Sequence, residues 1–95
     1  MSKNIPISLL ELAIVTQGST TSETLTKTKE LAQLADSLEY NRFWLAEHHN
    51  MQHVASSATV VLISYIASQT KKIRVGSGGI MLPNHSPLII AEQFG

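Results

Sequence analysis

The sequence predicts an α/β fold in which three strands alternate with three helices and lie side by side in a parallel sheet. Three observations favour this fold. Short apolar segments of strand length recur along the 95 residues. Segments with helical spacing of their apolar residues follow each of them. The strand segments are nearly continuous apolar runs, which is typical of parallel strands that are covered on both faces.

The first unit is predicted to join a strand at residues 7–15 (ISLLELAIV) to a helix at residues 21–39. Gly18 interrupts the apolar run. Thr20 and Glu23 then fit a capping box, in which the Thr hydroxyl accepts from a first-turn N–H and Glu23 reaches back to the cap. Leucine and alanine recur at helical spacing beyond this point, so the helix is predicted to be amphipathic.

The second unit is predicted to join a strand at residues 42–46 (RFWLA) to a helix at about residues 57–69. Residues 47–55 are polar and irregular, which indicates a loop. Ser56 and Ser57 precede the helical spacing and are predicted to cap the helix, because serine hydroxyls accept from first-turn N–H groups.

The third unit begins with a predicted strand at residues 73–81 (IRVGSGGIM), followed by a loop at residues 82–85. Ser86 then places a capping hydroxyl before Pro87, which suits the first position of a helix. The helix is expected to begin at Leu88 and to be incomplete at the last residue of the sequence.

Two α/β architectures fit this order: a doubly wound open sheet and an eightfold βα barrel. A barrel takes about 250 residues for eight units. If the fold is a barrel, this sequence corresponds to roughly its first three units, as one partial domain at residues 1–95. Charged residues make up only 15% of the chain and hydrophobic residues 43%. So little charge predicts a piece of a larger protein or an obligate homo-oligomer.

Composition also excludes several classes of function. Seven basic residues balance seven acidic ones, which argues against a nucleic-acid partner bound through a basic face. The chain has no cysteine, so thiol catalysis and cysteine zinc sites are excluded. The apolar run near the start is far shorter than the roughly 20 residues that span a membrane. The sequence therefore predicts a cytoplasmic protein without a membrane partner.

All four histidines lie just after a predicted strand: His48, His49 and His53 after the second, and His85 after the third. Sites in parallel α/β folds form beyond the carboxyl ends of the strands. This placement favours a functional cluster there. The alternative is that the histidines merely occupy loops or cap helices.

The segment Glu47-His48-His49 favours acid–base chemistry over metal binding. Neighbouring positions of an extended segment point to opposite sides, so His48 and His49 cannot easily bind one ion, and the spacing is not that of a zinc hydrolase. A carboxylate beside an imidazole suits proton transfer, with one histidine directed inward and the other bracing the loop. We therefore predict no metal site.

The glycine cluster Gly76-Ser77-Gly78-Gly79 ends the third strand. It lacks the spacing and the lysine of phosphate-binding loops. Its small residues favour close approach of a flat ligand or a strained backbone. The alternative is a bulge that only helps the strand to pack.

Glu11 is a charged residue near the carboxyl end of an otherwise apolar strand. Burying its charge is unfavourable without a partner. Two alternatives remain open: Glu11 faces the site, or it pairs with Arg42 or Arg74.

The segments WLAEHHN and SSATVVLISYIASQTKKIRVGSGGIMLPNHSPLIIAEQF closely resemble the amino-terminal third of the bacterial luciferase-like flavin-dependent monooxygenases. The resemblance implies an eightfold βα barrel that uses reduced FMN and O₂ on an organic substrate. A deazaflavin, used in one branch of the family, ranks second. The resemblance is also compatible with a flavin reductase as a partner. The alternative function is an inactive, truncated piece that binds flavin or associates with another subunit.

The resemblance also assigns roles to individual residues. It implies that His48 is the active-site histidine beside the reactive edge of the flavin, with Glu47 next to it. It implies that Gly78-Gly79, preceded by Ser77, form a bulge with a cis peptide bond, against which the isoalloxazine ring packs. Glu11 is implied to look into the barrel. The flavin phosphate is expected to bind groups further along the chain than this sequence extends.

Overall fold

The computed structural model describes residues 5–95 and confirms the alternating order of strands and helices. The elements are β1 (Ser8–Glu11), α1 (Thr21–Ser37), β2 (Arg42–Leu45), α2 (Thr59–Ser68), β3 (Arg74–Ser77), a 3₁₀ turn (Leu82–Asn84) and α3 (Pro87–Phe94). The three strands are parallel and lie in the order β1-β2-β3. Residues 1–4 of the predicted domain lie outside the described residues.

The two faces of the sheet differ in what covers them. The register aligns Leu9 with Phe43 and Val75, and this row packs in the core. Successive residues of a strand point to opposite faces, so Leu10 and Trp44 point the other way and are 55% and 40% exposed. The molecule is only 20 Å thick along its shortest axis, which is about one sheet plus one helix layer. One face is therefore covered by helices and the other is open.

The hydrophobic core lies between the covered face of the sheet and the helices α1 and α2. Its buried members are Ala32, Ala35, Phe43, Leu45, Leu62, Ile66 and Ile73. Within Pro87–Phe94, by contrast, no residue of α3 is buried. None of the helices in the described part of the chain is long and apolar enough to cross a membrane.

Strand β1 is shorter than the predicted strand at residues 7–15. The ladder ends at Glu11, because Ala13 has a φ of 54°, and this left-handed conformation cannot continue an extended strand. Ile14 then forms an isolated antiparallel bridge with Val54. The chain thus leaves the sheet after β1 and contacts the loop that follows β2.

The start of α2 also differs from the prediction. The helix begins at Thr59, and its N-cap residue Ala58 makes no capping bond. The Thr59 hydroxyl donates at 3.0 Å to the carbonyls of Ala46 and Ser56. The Ser56 Oγ is buried and has no hydrogen-bond partner among residues 5–95. Serine capping at this position was therefore predicted wrongly, because the segment before α2 packs against the end of β2.

The other two helix starts agree more closely with the sequence. Thr20 Oγ1 accepts from the Glu23 N–H at 3.1 Å, which confirms Thr20 as the cap of α1, whereas the predicted return bond from the Glu23 side chain to the cap is not formed. Pro87 occupies the start of α3, as predicted, although the helix begins there and not at Leu88. Ser86 is the N-cap residue, but its hydroxyl makes no capping hydrogen bond, so that part of the prediction was wrong.

Candidate active site

The loops that follow β2 and β3 meet at one edge of the sheet. Because these strands are neighbours, the Gly78 N–H can donate to the Leu45 carbonyl, at 2.9 Å. Glu47 therefore lies close to the loop beyond the glycine pair. This edge is the carboxyl end of the strands, where sites form in parallel α/β folds.

Glu47 is the centre of a hydrogen-bond cluster at this edge. Its side chain is 1% exposed. Oε2 lies 2.5 Å from Nε2 of His49 and 2.9 Å from Nε2 of His85. Oε1 accepts from the Met81 N–H at 3.1 Å. An ionised carboxylate can only accept, so both rings present Nε2–H to it. We call these four residues the Glu47 clamp.

The hydrogen bonds of the Glu47 clamp decide the charge of its carboxylate. Burial alone would raise the pKa of Glu47. The bonds from His49, from the Met81 N–H and from His85, together with the charge of His85, outweigh burial and lower this pKa to about 2. Glu47 is therefore ionised at neutral pH, where a group of such low pKa is a poor proton acceptor.

His48 lies beside the clamp but does not belong to it. Its backbone N–H donates to the Ser56 carbonyl at 3.4 Å. The residue is half-buried and lines a cleft of about 280 Å³ together with Met51 and Ser57, among others. Its ring makes no hydrogen bond with any residue from 5 to 95. Its ring nitrogens are thus available to a ligand.

The glycine pair beyond Ser77 forms an open surface at the same edge. The peptide bond between Gly78 and Gly79 is cis, as the resemblance implied. A Cβ on Gly78 would lie 3.0 Å from side-chain atoms of Leu10 and Trp44, whereas a Cβ on Gly79 would meet nothing within 4 Å. Both residues are exposed. This surface has the room and the lack of side chains that a flat ring system needs.

The structure does not bring Glu11 together with these residues. The register places Glu11 beside Leu45, on the face that the helices cover. Its Oε1 accepts from the Ala13 N–H at 3.1 Å. Within the described part of the chain it forms no ion pair with Arg42 or Arg74. The predicted ion pair of Glu11 with Arg42 or Arg74 was therefore wrong, because its carboxylate caps the backbone just beyond β1, whereas its predicted role in cofactor binding stays a prediction.

The remaining histidines show what the sequence could and could not reveal. The prediction that one histidine braces the loop fits His49, which contacts Glu47. The contact between His85 and Glu47 was missed; the only signal was that both follow a predicted strand. His53 is exposed, and its carbonyl accepts from Val15. No group of three or more metal-ligating side chains among the described residues is arranged to hold a metal.

Comparison with known sequences adds the family to this geometry. A family model described as luciferase-like monooxygenase matches residues 8–95. A luciferase-like monooxygenase of Escherichia coli K12 is 56% identical over 93 residues, which are 98% of this chain and 28% of that protein. The chain thus spans only about 28% of the length of the first curated relatives that it matches.

Two solved structures extend the comparison. Apo-MsnO8 superimposes with a TM-score of 0.92 at 47% identity, covering 96% of this chain and 28% of its own. The oxygenating constituent of 3,6-diketocamphane monooxygenase from Pseudomonas putida, a type II Baeyer–Villiger monooxygenase in complex with FMN, gives a TM-score of 0.79 at 22% identity, covering 93% and 24%. That second likeness shows the fold. Sequence and structure together show that this chain belongs to the luciferase-like monooxygenase family.

Proposed function

We propose that this chain is the amino-terminal segment of a flavin-dependent monooxygenase that uses reduced FMN and O₂ to oxygenate an organic substrate. One observation carries the proposal. The ring of His48 and the open surface of Gly78-Gly79 lie in loops of adjacent strands, at the edge where α/β sites form. Family membership and the FMN complex of the structural neighbour support the same cofactor.

The residues present fit the ring of the cofactor. Gly78 and Gly79, with Ser77 before them, would lie against the flat isoalloxazine, and the open apolar face at Leu10 and Trp44 would exclude water around it. When bound, the reduced flavin would supply the electrons that activate oxygen. The basic residues of β3 and the preceding turn lie at the opposite end of the sheet, so they would not hold the phosphate of a flavin bound there.

His48 is proposed to move a proton at one of its ring nitrogens, Nδ1 or Nε2. An imidazole suits this role because its ordinary pKa lies near working pH. Its position in a cleft of the loop after β2, without a hydrogen-bond partner among residues 5–95, leaves the ring free to meet substrate or cofactor.

A piece that binds flavin or associates with another subunit, without catalysis, is the second candidate function. The observation that favours it is the exposed apolar face of the sheet, with Leu10 and Trp44 uncovered. Turnover separates the two functions, because the second predicts flavin binding or association without oxygenation. A cytoplasmic location, a flavin reductase as the source of reduced FMN and homo-oligomerisation remain predictions.

The proposal is tested in a chimeric enzyme, in which this chain replaces the matching segment of the Escherichia coli relative. His48→Ala should lower kcat by about 10²–10⁴-fold, the usual effect of losing a general acid or base. His53→Ala is the matched control, because His53 lies in the same loop with an exposed side chain. Equal rates for the two variants would contradict the assignment of His48.

A further inference from the structure

The proposed function leaves one costly feature unexplained, which is the buried negative charge of Glu47 next to His48. An ionised carboxylate is unfavourable in the interior unless hydrogen bonds compensate for the lost water. Three residues provide that compensation here. His49 comes from the loop after β2, whereas Met81 and His85 come from the segment after β3. The carboxylate therefore connects the loop after β2 to the segment after β3.

The bond between Glu47 and His49 has a particular consequence for the residue between them. Because the two side chains are two positions apart and contact each other, the bond closes a short ring of chain around His48. Such a ring restricts the backbone torsions of His48 and so the direction in which its side chain leaves the chain. A second restraint is the bond from the His48 N–H to Ser56.

The hydrogen bonds to the other carboxylate oxygen, Oε1, come from the segment that follows Gly78-Gly79, where the flavin ring is proposed to bind. Met81 is two residues beyond Gly79, and its N–H donates to Glu47 Oε1. The His85 ring lies within hydrogen-bond distance of both carboxylate oxygens, at 3.1 and 2.9 Å. The segment that leaves the glycine pair is thus held from two points.

We propose that the Glu47 clamp is a positioning device, in which Glu47, His49 and His85 hold the proton-transferring ring of His48 and the glycine surface in their working arrangement. The inference rests on the proposed function and changes the role that the sequence suggested for Glu47, from a catalytic to a positioning residue. Glu47 has a side chain that is 1% exposed and oxygens that are occupied by three donor residues. It therefore cannot meet a substrate.

The test compares loss and retention of the donor atom in the chimeric enzyme. His49→Phe and His85→Phe keep a ring and remove the Nε2 donor, whereas His49→Gln and His85→Gln retain an amide N–H near that position. His53→Phe is the matched control. Each Phe variant should lower kcat about 10–100-fold, as small misplacements of catalytic groups do, and each Gln variant should recover most of that loss.

Equilibrium binding of oxidised FMN, followed by its fluorescence, provides a readout besides activity. His49→Phe should leave the Kd within about twofold, because its bond restrains His48, whereas His85→Phe should weaken binding about tenfold, because its bond holds the segment after the glycines. Adding His49→Phe to His48→Ala should cause no further loss of kcat, since residues that act as a unit are not additive.

The outcomes separate this inference from the proposed function. Absence of oxygenation by the chimeric enzyme supplied with reduced FMN would contradict the proposed function, and a normal rate for His48→Ala would contradict the assignment of His48. A slow His48→Ala together with Phe variants that behave like His53→Phe would overturn the clamp and leave the function standing. If circular dichroism shows that a Phe variant does not fold, the rates of the Gln variants provide the test of the clamp. A folded Gln variant as slow as His48→Ala, or a full additional loss in the double variant, would also overturn the clamp.

Discussion

Two carboxylates, at opposite ends of the sheet, connect its elements in different ways. At the amino-terminal end, Asp36 of α1 accepts from the backbone N–H groups of Lys71, Lys72 and Ile73, at 2.7, 2.9 and 2.9 Å. These bonds lower the pKa of Asp36 below its ordinary value. At the carboxyl end, Glu47 accepts from two imidazole rings and only one backbone group. Asp36 thus connects α1 to the turn before β3, and Glu47 connects the loop after β2 to the segment after β3.

The difference between the two lies in their donors and their burial. The donors of Asp36 are backbone groups of one turn near the surface, so they can do little more than fix that turn. The donors of Glu47 include side chains from two different loops, and the carboxylate is buried. In βα folds the amino-terminal end serves stability and the carboxyl end serves function. The two carboxylates are consistent with that division.

The largest expected effect is the replacement of the buried charge. Glu47→Gln should lower the free energy of unfolding of the chimeric enzyme by roughly 3 kcal/mol, because lowering the pKa from 4.5 to about 2 on folding is equivalent to that amount. The stabilisation is complete above about pH 4.5 and is lost as pH falls towards 2. Urea unfolding at several pH values should show the gap to wild type closing over that range. Glu30→Gln, on the exposed surface of α1, is the control. If the free energy of unfolding of Glu47→Gln differed from that of wild type as much at pH 2 as at neutral pH, the ionised carboxylate would not be the source of the stabilisation.

A smaller effect is expected at the glycine surface beside the clamp. Gly78→Ala should destabilise the chimeric enzyme by about 1–3 kcal/mol, because the new Cβ lies 3.0 Å from Leu10 and Trp44 and overpacks them. Gly79→Ala is the matched variant, since its Cβ meets nothing within 4 Å. It should leave the free energy of unfolding unchanged and weaken FMN binding. Unaltered FMN affinity in Gly79→Ala would argue against a ring at this surface.

The half-buried carboxylate of Asp36 should contribute less than the buried one of Glu47. Asp36→Asn should shift the urea midpoint downwards by less than Glu47→Gln does, because water competes for the exposed backbone donors of Lys71 and Lys72. The pKa of Asp36 is lowered from 3.8, so its contribution is present above that pH and is lost below it. Amide exchange at Lys72 and Ile73 should be faster in the variant. Glu39→Gln, in the same surface cleft, is the control, and a larger shift than that of Glu47→Gln would reverse the comparison.

The smallest effect is expected at Ser56, which lies behind the loop of His48. Its buried hydroxyl has no partner among the described residues, and a buried hydroxyl without a partner destabilises the fold. Ser56→Ala should therefore leave the free energy of unfolding unchanged or raise it slightly. Ser57→Ala, at an exposed position, is the comparison. A loss of more than about 1 kcal/mol in urea would mean that Ser56 has a partner in the complete enzyme.

Much of the fold could be predicted because it depends on residues close in sequence. The alternation of strands and helices follows from apolar periodicity, and the cap of α1 follows from Thr20 and Glu23, three residues apart. The order of strands and helices was enough to predict that the four histidines lie beyond the carboxyl ends of the strands. The boundaries were less accurate where distant contacts intervene, as at Ile14, which pairs with Val54 and not with the sheet.

The sequence by itself determined the elements, the parallel α/β class and the edge at which a site forms. Only the tertiary structure decided which histidine meets Glu47. His85 is 38 residues away from it, and no local rule connects the two. They meet because the helical crossover through α2 makes β2 and β3 parallel neighbours and directs both following loops to the same edge. Caps and periodicity act over a few residues, whereas a buried charge selects its donors from whatever the fold brings within hydrogen-bond distance.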